Sequence, residues 1–212
     1  LDLPQEKKGT VPTESWKKEY LKQPWYAGDS INYAIGQGFV QTTPLQIGLI
    51  YAAIATGNMY QPYVLSKIRN KEGRTLYENK RQVRRQLNVS KDVLAKIKGA
   101  LRDVVERGTG IAVRVAGIPA AGKTGTAENP GKAHAWFVCY APIEDPKIAV
   151  VAFVAHGEHG DRSSAYVARD ILKWYQENRS DKVYPPKVFT EQYIMQGNKK
   201  VPYWRVNRPK IF

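Results

Sequence analysis

The stretch "GIPAAGKTGTAENP", residues 117–130, limits what this chain can fold into more than any other. Its first eight residues spell G-x-x-x-x-G-K-[ST], the pattern of a phosphate-cradling loop. That loop must leave a buried strand and open at once into a helix whose first amides hold the phosphates. Here Gly125 follows directly, and Pro130 and Gly131 arrive within about two helical turns of Gly122, so the required helix cannot run. The strands downstream also offer no apolar run ending in an aspartate for magnesium. The stretch reads instead as a strand over residues 121–128, a turn at Asn129-Pro130-Gly131, and a second strand over 134–140. A glycine on such a strand lets another backbone lie close, because no side chain stands in the way.

"AHAWFVCYAP" and "KIAVVAFVAHG", joined by "IEDP", continue the strand pattern, and residues 161–178 read as a closing helix with Tyr166, Val167, Ile171, Leu172, Trp174 and Tyr175 as its apolar positions. Upstream, "TTPLQIGLIYAAIATG" is a helix with its start written out: Thr43 caps, Pro44 takes the first helical position and Gln46 completes a capping box. Leu45, Ile47, Leu49, Ile50, Ala53 and Ile54 make it apolar on most sides, which predicts burial, and Gly57 ends it. "PYVLSKIRNKEGRTLYEN" reads as a hairpin turning at residues 70–73. Ser90 caps a further helix with Val93, Leu94, Ile97, Leu101, Val104 and Val105 on one face and Lys91, Lys96, Lys98 and Arg102 elsewhere, stopped by Gly108. Residues 1–30, punctuated by Pro4, Pro12 and Pro24, read as irregular surface chain. Helices, then adjacent strands, then a closing helix predict an α+β fold with an antiparallel sheet flanked by helices. No internal repeat is present.

The formal net charge is +14 over 212 residues. Residues 66–107 hold 13 Lys/Arg against 5 Asp/Glu, and residues 181–212 hold 7 against 2. This suits an anionic partner as well as a solvated basic surface. A noncatalytic basic module for nucleic acid or an anionic polymer is therefore one reading of the chain, beside catalysis. Cys139 is the only cysteine, so no internal disulfide forms. No apolar run approaches the roughly 20 residues of a membrane span, and no leader is visible at the start. The opening in a polar, proline-containing stretch suggests a chain cut from something longer.

"AGKTGTAE" followed by "HAWFVCYAP" resembles the third motif of class B penicillin-binding proteins. "WYAGDSINYAIGQGFVQTTPLQIGLIYAAIATGN" resembles a long characteristic stretch of the same family, and "LDLPQEKKGTVPTESWK", "VVERGTG" and "VAFVAHGEHG" have counterparts there too. The resemblance covers about residues 1–178 and is strongest to the elongation-type group, penicillin-binding protein 2. It implies the penicillin-binding transpeptidase and serine β-lactamase-like fold, of which this chain holds the C-terminal portion. Residues 1–180 would belong to the transpeptidase domain and 181–212 form a basic, aromatic, Pro-rich tail. The implied activity is peptidoglycan D,D-transpeptidation through a serine acyl-enzyme, which β-lactams block. Lys123 would supply fixed positive charge beside the nucleophile. The hydroxyls of Thr124 and Thr126 would hold a substrate carboxylate, Gly125 would let substrate backbone lie against the strand, and the Thr126 amide would face the oxyanion.

The resemblance further implies no metal or organic cofactor, and no nucleic-acid partner. Its partners would be stem peptides and β-lactams, the upstream remainder of the domain, and a membrane-embedded glycan polymerase of the cell-elongation complex. The protein would sit in a bacterial inner membrane with this domain outside the cytoplasm. The family also needs Ser-x-x-Lys and Ser-x-Asn. Ser15-Trp-Lys-Lys18 and Ser30-Ile-Asn32 match by spelling, but the first lies in a charged stretch ending at Pro24 and the second in "GDSINYAIGQG". Neither opens an apolar helix, so the nucleophile is expected upstream of Leu1. The loop His156-Gly-Glu-His159-Gly-Asp161 reads as a surface loop at the edge of the site rather than a metal site. His134 reads as packing or contacting substrate, Cys139 as a small buried apolar residue, Asp29 and Asn32 as structural, and Gly36-Gln37-Gly38 as a turn with unusual backbone angles. In the tail, Tyr184, Phe189, Tyr193, Tyr203 and Trp204 are interspersed with basic residues, a pattern open to stacking on nucleic acid, to a membrane interface or, the reading preferred here, to packing on the domain or a partner.

Overall fold

Thr13 begins the first ordered element: its hydroxyl accepts from the Trp16 amide and caps helix α1 (Glu14–Trp16), which runs into one π-helical turn (Lys17–Leu21). Helix α2 (Ala27–Ala34) follows. The computed structural model describes residues 6–178, 193–196 and 199–202, and the chain divides into two units, Leu1–Glu177 and Asn178–Phe212. The two helices correct the expectation of irregular surface chain over residues 1–30. The reason is Lys17, which is only 2% exposed despite sitting in a charged run. Its ammonium lies 2.6 Å from the Asp29 carboxylate and over the rings of Tyr26 and Phe39, at 4.6 and 5.3 Å from their centres. A carboxylate and two ring faces take over the role of water around the charge. The hydrogen bond from Lys17, seconded by the Tyr26 amide, holds the Asp29 carboxyl below the usual carboxylate range.

Helix α3 (Pro44–Thr56) has the capping box that its sequence spells: Gln46 N–H donates to Thr43 Oγ1 and Thr43 N–H to Gln46 Oε1. The Gln46 amide also donates to the Lys8 carbonyl at 2.8 Å, tying the N-terminal stretch to the helix. Gly57 ends α3 with φ of 79°, a left-handed conformation that glycine adopts without strain. Burial of α3 is narrower than its composition predicts. Ala53 and Ala55 are buried, but Leu45 and Ile50 are exposed, because the helix packs one side on a sheet and nothing among the described residues covers the other.

Short strands follow: β1 (Asn58–Tyr60), β2 (Lys67–Arg69), β3 (Thr75–Glu78) and β4 (Val83–Gln86). β2 and β3 form the expected hairpin, and β4 returns to pair with β1. Helix α4 (Lys91–Arg107) starts at Ser90, whose hydroxyl accepts from the Val93 amide. Lys98 Nζ reaches back 2.7 Å to the Ala55 carbonyl at the end of α3, a cation placed where the helix carbonyls are unpaired. A single 3-10 turn (Ile111–Val113) leads to β5 (Ala121–Ala127), β6 (His134–Ala141), β7 (Ile148–Val154) and α5 (Ser164–Asn178). Helix α5 begins three residues later than its sequence suggests. In the second unit, β8 (Tyr193–Gln196) pairs with β9 (Lys199–Pro202). The aromatic residues Tyr184, Phe189, Tyr203 and Trp204 lie outside the described residues.

β5, β6 and β7 form one antiparallel sheet in that order, without a bulge. Alternation then assigns its faces. One face carries Phe137, Cys139, Val150 and Ala152 and meets Ala165, Ala168 and Leu172 of α5 in the main core. The other carries Tyr140 and Ala121 and meets Tyr51, Ile54 and Ala55 of α3, with Leu101 of α4. Thus α5 and α3 sandwich the sheet, the α+β arrangement expected.

Leu172 is fully buried between α5 and the sheet; Leu172→Ala should cost about 2–5 kcal/mol in a urea titration. Cys139 is also fully buried, and burial pushes its thiol up to about 12. An unfolded thiol ionises near about 8.5, so the unfolded chain loses this proton first as pH rises. Stability is therefore full below about pH 8.5 and falls by up to about 1.4 kcal/mol per pH unit towards 12. Cys139→Ala should flatten that decline, and native Cys139 should resist thiol reagents until the protein is denatured.

Candidate active-site wall

Gly122, Lys123 and Thr124 lie inside strand β5, not at a strand-to-helix junction, so the phosphate-loop spelling has no structural counterpart. Two glycines make this strand possible. A Cβ on Gly122 would press into Cys139 at 2.6 Å, and one on Gly125 would meet the Trp136 Cβ at 3.1 Å. β5 pairs with β6 along one edge, and no strand of the described residues lies along its other edge.

That open edge borders a cleft of about 640 Å³. Lys123, Thr124, Gly125 and Thr126 form one wall. Trp136, His134 and Phe153 form an aromatic floor, with Trp136 and Phe153 at 4.6 Å between ring centres. Ile35 to Gln37 and Val40 to Thr42 form the opposite wall, backed by Ile47 and Tyr51 of α3. Burial pushes the Tyr51 hydroxyl up to about 12, so it stays protonated at neutral pH.

Thr124 is held from both sides. Lys123 Nζ donates to its carbonyl at 3.0 Å and to its hydroxyl at 3.3 Å. The Thr109 hydroxyl shares a 2.8 Å hydrogen bond with the same Thr124 Oγ1. Thr109 stands between Gly108 and Gly110, which fold tightly onto the last turn of α4: both amides donate to the Val104 carbonyl. Cβ atoms there would lie 2.9–3.1 Å from Val104 backbone atoms, so both positions need glycine.

The open edge is touched at one place. Gln37 Nε2 donates to the Thr126 carbonyl at 3.0 Å and Gln37 Oε1 accepts from the Glu128 amide at 3.4 Å. In an antiparallel ladder one residue's N–H and C=O point to the same side and alternate with its neighbours. Residues 124, 126 and 128 therefore turn their backbone groups to the open edge, and the Thr126 N–H faces the cleft side of the strand. Neither Gln37 nor Thr109 is assigned a side-chain role by the sequence reading. The flanking glycines were the only local signal of both, since the contacts span 89 and 15 residues.

His134 uses Nδ1 to accept the His156 amide at 3.0 Å, and its ring stands edge-on to Phe153 at 5.3 Å. It packs in the cleft floor with that nitrogen occupied. His156 and Glu158 take left-handed backbone angles in an exposed loop, and Glu158 pairs with Lys132 at 2.8 Å. No cluster of metal-ligating side chains occurs among the described residues. Asn32 works through its backbone: its carbonyl accepts from the Gln37 amide at 2.9 Å, and Gly36 and Gly38 take φ of 75° and 73°. Ser15 bonds to the Thr13 hydroxyl and Ser30 accepts from the Trp25 indole, and neither lines the cleft. No serine or cysteine is among the cleft-lining residues.

Residues 1–173 match the model of the penicillin binding protein transpeptidase domain. The chain belongs to that family. It is 31% identical over 192 residues to Peptidoglycan D,D-transpeptidase MrdA of Acinetobacter baumannii, covering 82% of this chain and 28% of that protein. It is 29% identical to the MrdA protein of Haemophilus influenzae, covering 86% of this chain and 31% of that one. The solved Penicillin-Binding Protein (PBP2) from Helicobacter pylori superposes with a TM-score of 0.71 at 32% identity, over 84% of this chain and 33% of its own. The chain thus spans about a third or less of the length of these relatives, and the penicillin-binding transpeptidase fold expected from its motifs is the one it has.

Gly160 fixes the wall from behind. A Cβ there would strike the Trp136 carbonyl and lie 2.9 Å from that of Gly125, backbone that cannot swing aside. Gly160→Ala should cost about 1–3 kcal/mol by urea denaturation and slow whatever chemistry the cleft performs.

Proposed function

We propose that this chain supplies the lysine-bearing wall of a serine D,D-transpeptidase that cross-links peptidoglycan stem peptides in cell-wall elongation. One observation carries the reading: Lys123, Thr124, Gly125 and Thr126 lie together on an unpaired strand edge bordering a cleft, in a chain that matches the transpeptidase family over residues 1–173. The serine is assigned to a part of the protein outside these 212 residues. The reading also takes residues 1–180 as the C-terminal part of the transpeptidase domain and 181–212 as an appended tail.

In this mechanism the serine hydroxyl attacks the penultimate D-alanine carbonyl, and its proton passes to a base. The tetrahedral oxyanion forms opposite the Thr126 N–H, which is turned to the open edge and needs no reorganisation to receive it. Collapse breaks the amide bond; the D-alanine nitrogen takes a proton and leaves, and an ester to serine remains. The amine of a neighbouring stem attacks that ester, restores the serine and forms the cross-link. Lys123 contributes positive charge along the edge, and Thr124, whose hydroxyl is braced by Thr109, binds the terminal carboxylate of the donor stem. Gly125 leaves the aromatic floor open beneath the substrate backbone. A β-lactam follows the first half of this path, its opened ring staying attached as the acyl group.

The protein is proposed to work at the bacterial inner membrane, with this domain outside the cytoplasm and a membrane-embedded glycan polymerase as partner. For a protein partner, support comes from one solved structure, a complex between PBP2 and MreC from Helicobacter pylori, 29% identical to this chain with a TM-score of 0.68.

In the intact protein, Lys123→Ala should lower the rate of acylation by a fluorescent penicillin at least about 100-fold, while Ser15→Ala and Ser30→Ala label normally. Near-normal labelling of Lys123→Ala, or loss of labelling in either serine variant, would refute this assignment.

A further inference from the structure

Gln37 reaches across the cleft from the wall opposite β5. Its carboxamide carries a donor and an acceptor side by side, whereas a trans peptide group points its N–H and C=O in opposite directions. It uses both on the open edge of β5, at Thr126 C=O and Glu128 N–H. A neighbouring strand would occupy the same two groups. We propose that Gln37 is a positioning residue that stands in for one residue of an absent strand, whose N–H and C=O would meet the same two groups. It closes the edge beyond the Thr126 amide and leaves Thr124 and the Thr126 N–H as the stretch on which a substrate backbone pairs. The proposal rests on the transpeptidase reading above.

The backbone beneath Gln37 is built to hold it still. Its own amide donates to the Asn32 carbonyl at 2.9 Å, and the Gly36 amide donates to Tyr33 at 3.0 Å, so the turn is anchored on the end of α2. Gly36 and Gly38 on either side take left-handed angles, which a β-carbon would strain. A Cβ at Gly38 would also crowd Asn32 at 3.3 Å. The residues around this turn line the cleft wall opposite Lys123. Gln37 is therefore a tie between the two walls as well as a stop on the edge.

The stop matters because an open strand edge does not specify register by itself. Backbone groups facing outward recur every second residue, about 6.8 Å apart, so an extended substrate could pair at 124 and 126 or slide on to 126 and 128. Only the first register sets the reacting carbonyl against the Thr126 N–H with Thr124 beside the carboxylate. With Glu128 N–H and Thr126 C=O engaged, the second register loses two of the backbone partners it needs. Glutamine is required for this, since glutamate cannot donate to the Thr126 carbonyl and asparagine is one methylene short.

The test is the acylation of intact Gln37→Ala and Gln37→Glu by a fluorescent penicillin, followed over a concentration series by stopped flow. This separates the dissociation constant of the first complex from the first-order acylation constant. The acylation constant should fall about tenfold in both variants, the scale of one or two lost hydrogen bonds, with the dissociation constant within about twofold. Amide hydrogen exchange across residues 121–128 should quicken in Gln37→Ala. Acylation constants within twofold of wild type in both variants would overturn the proposal, as would a loss confined to the dissociation constant. If Gln37→Ala does not fold, Gln37→Glu decides, since it keeps the Glu128 bond and loses only the one to Thr126. Lys123→Ala separates the two layers: its normal acylation removes the site assignment itself, whereas impaired Lys123→Ala with normal Gln37 variants removes only this inference.

Discussion

β6 is hydrogen-bonded to a strand along each edge, and five of its eight residues, Phe137 to Ala141, form an unbroken buried run. That double constraint sets the rest. A strand covered on both faces needs a helix on each side, and α5 and α3 supply them. A strand paired on both edges forces its neighbours outward, so β5 has one edge satisfied and one left over. The cleft forms where that leftover edge meets the end of the sheet at which α3 no longer covers the aromatic residues. Trp136, His134 and Phe153 are thus the continuation of a buried face into a partly open one, and the site grows out of the same pleat that builds the core.

Small residues let this arrangement close. Gly122 sits against Cys139, Gly125 against Trp136 and Gly160 against the backbone of both β5 and β6. Each removes a side chain where two backbones or a backbone and a large ring approach. Of these, Gly122 also belongs to the phosphate-loop spelling, together with Gly117. The resemblance is no accident of composition: both a phosphate cradle and this strand edge need glycine for close approach and a lysine for fixed charge. What separates them is the geometry that follows, and Gly125, Pro130 and Gly131 admit only a strand and a turn.

Local chemistry and the β5–β6–β7 sheet were legible, and pairing between distant segments was not. The Thr43–Gln46 capping box, the Ser90 cap, the left-handed Gly57 and the β2–β3 hairpin all depend on neighbours within a few residues, and they stand where the sequence puts them. The pairing of β1 with β4 joins residues about 25 apart, and no pattern inside either segment announces it. Lys17 misled for a sharper reason. A lysine among charged residues reads as solvated, and only the arrival of Asp29, Tyr26 and Phe39 turns it inward. Helix α3 erred the other way: its apolar surface predicts more burial than one sheet face can provide.

The net charge of +14 falls unevenly on this frame. The strands β2, β3 and β4 are exposed throughout and carry Lys67, Arg69, Arg84 and Arg85, where solvent screens them. In the cleft, by contrast, Lys123 stands against backbone and hydroxyl oxygens of Thr124 with no carboxylate among the lining residues. The two sets of cations therefore do different work. Among the distal ones, Lys67 pairs with Glu78 at 2.7 Å. Lys123 is exposed on the strand edge with no carboxylate among the cleft-lining residues to pair with it.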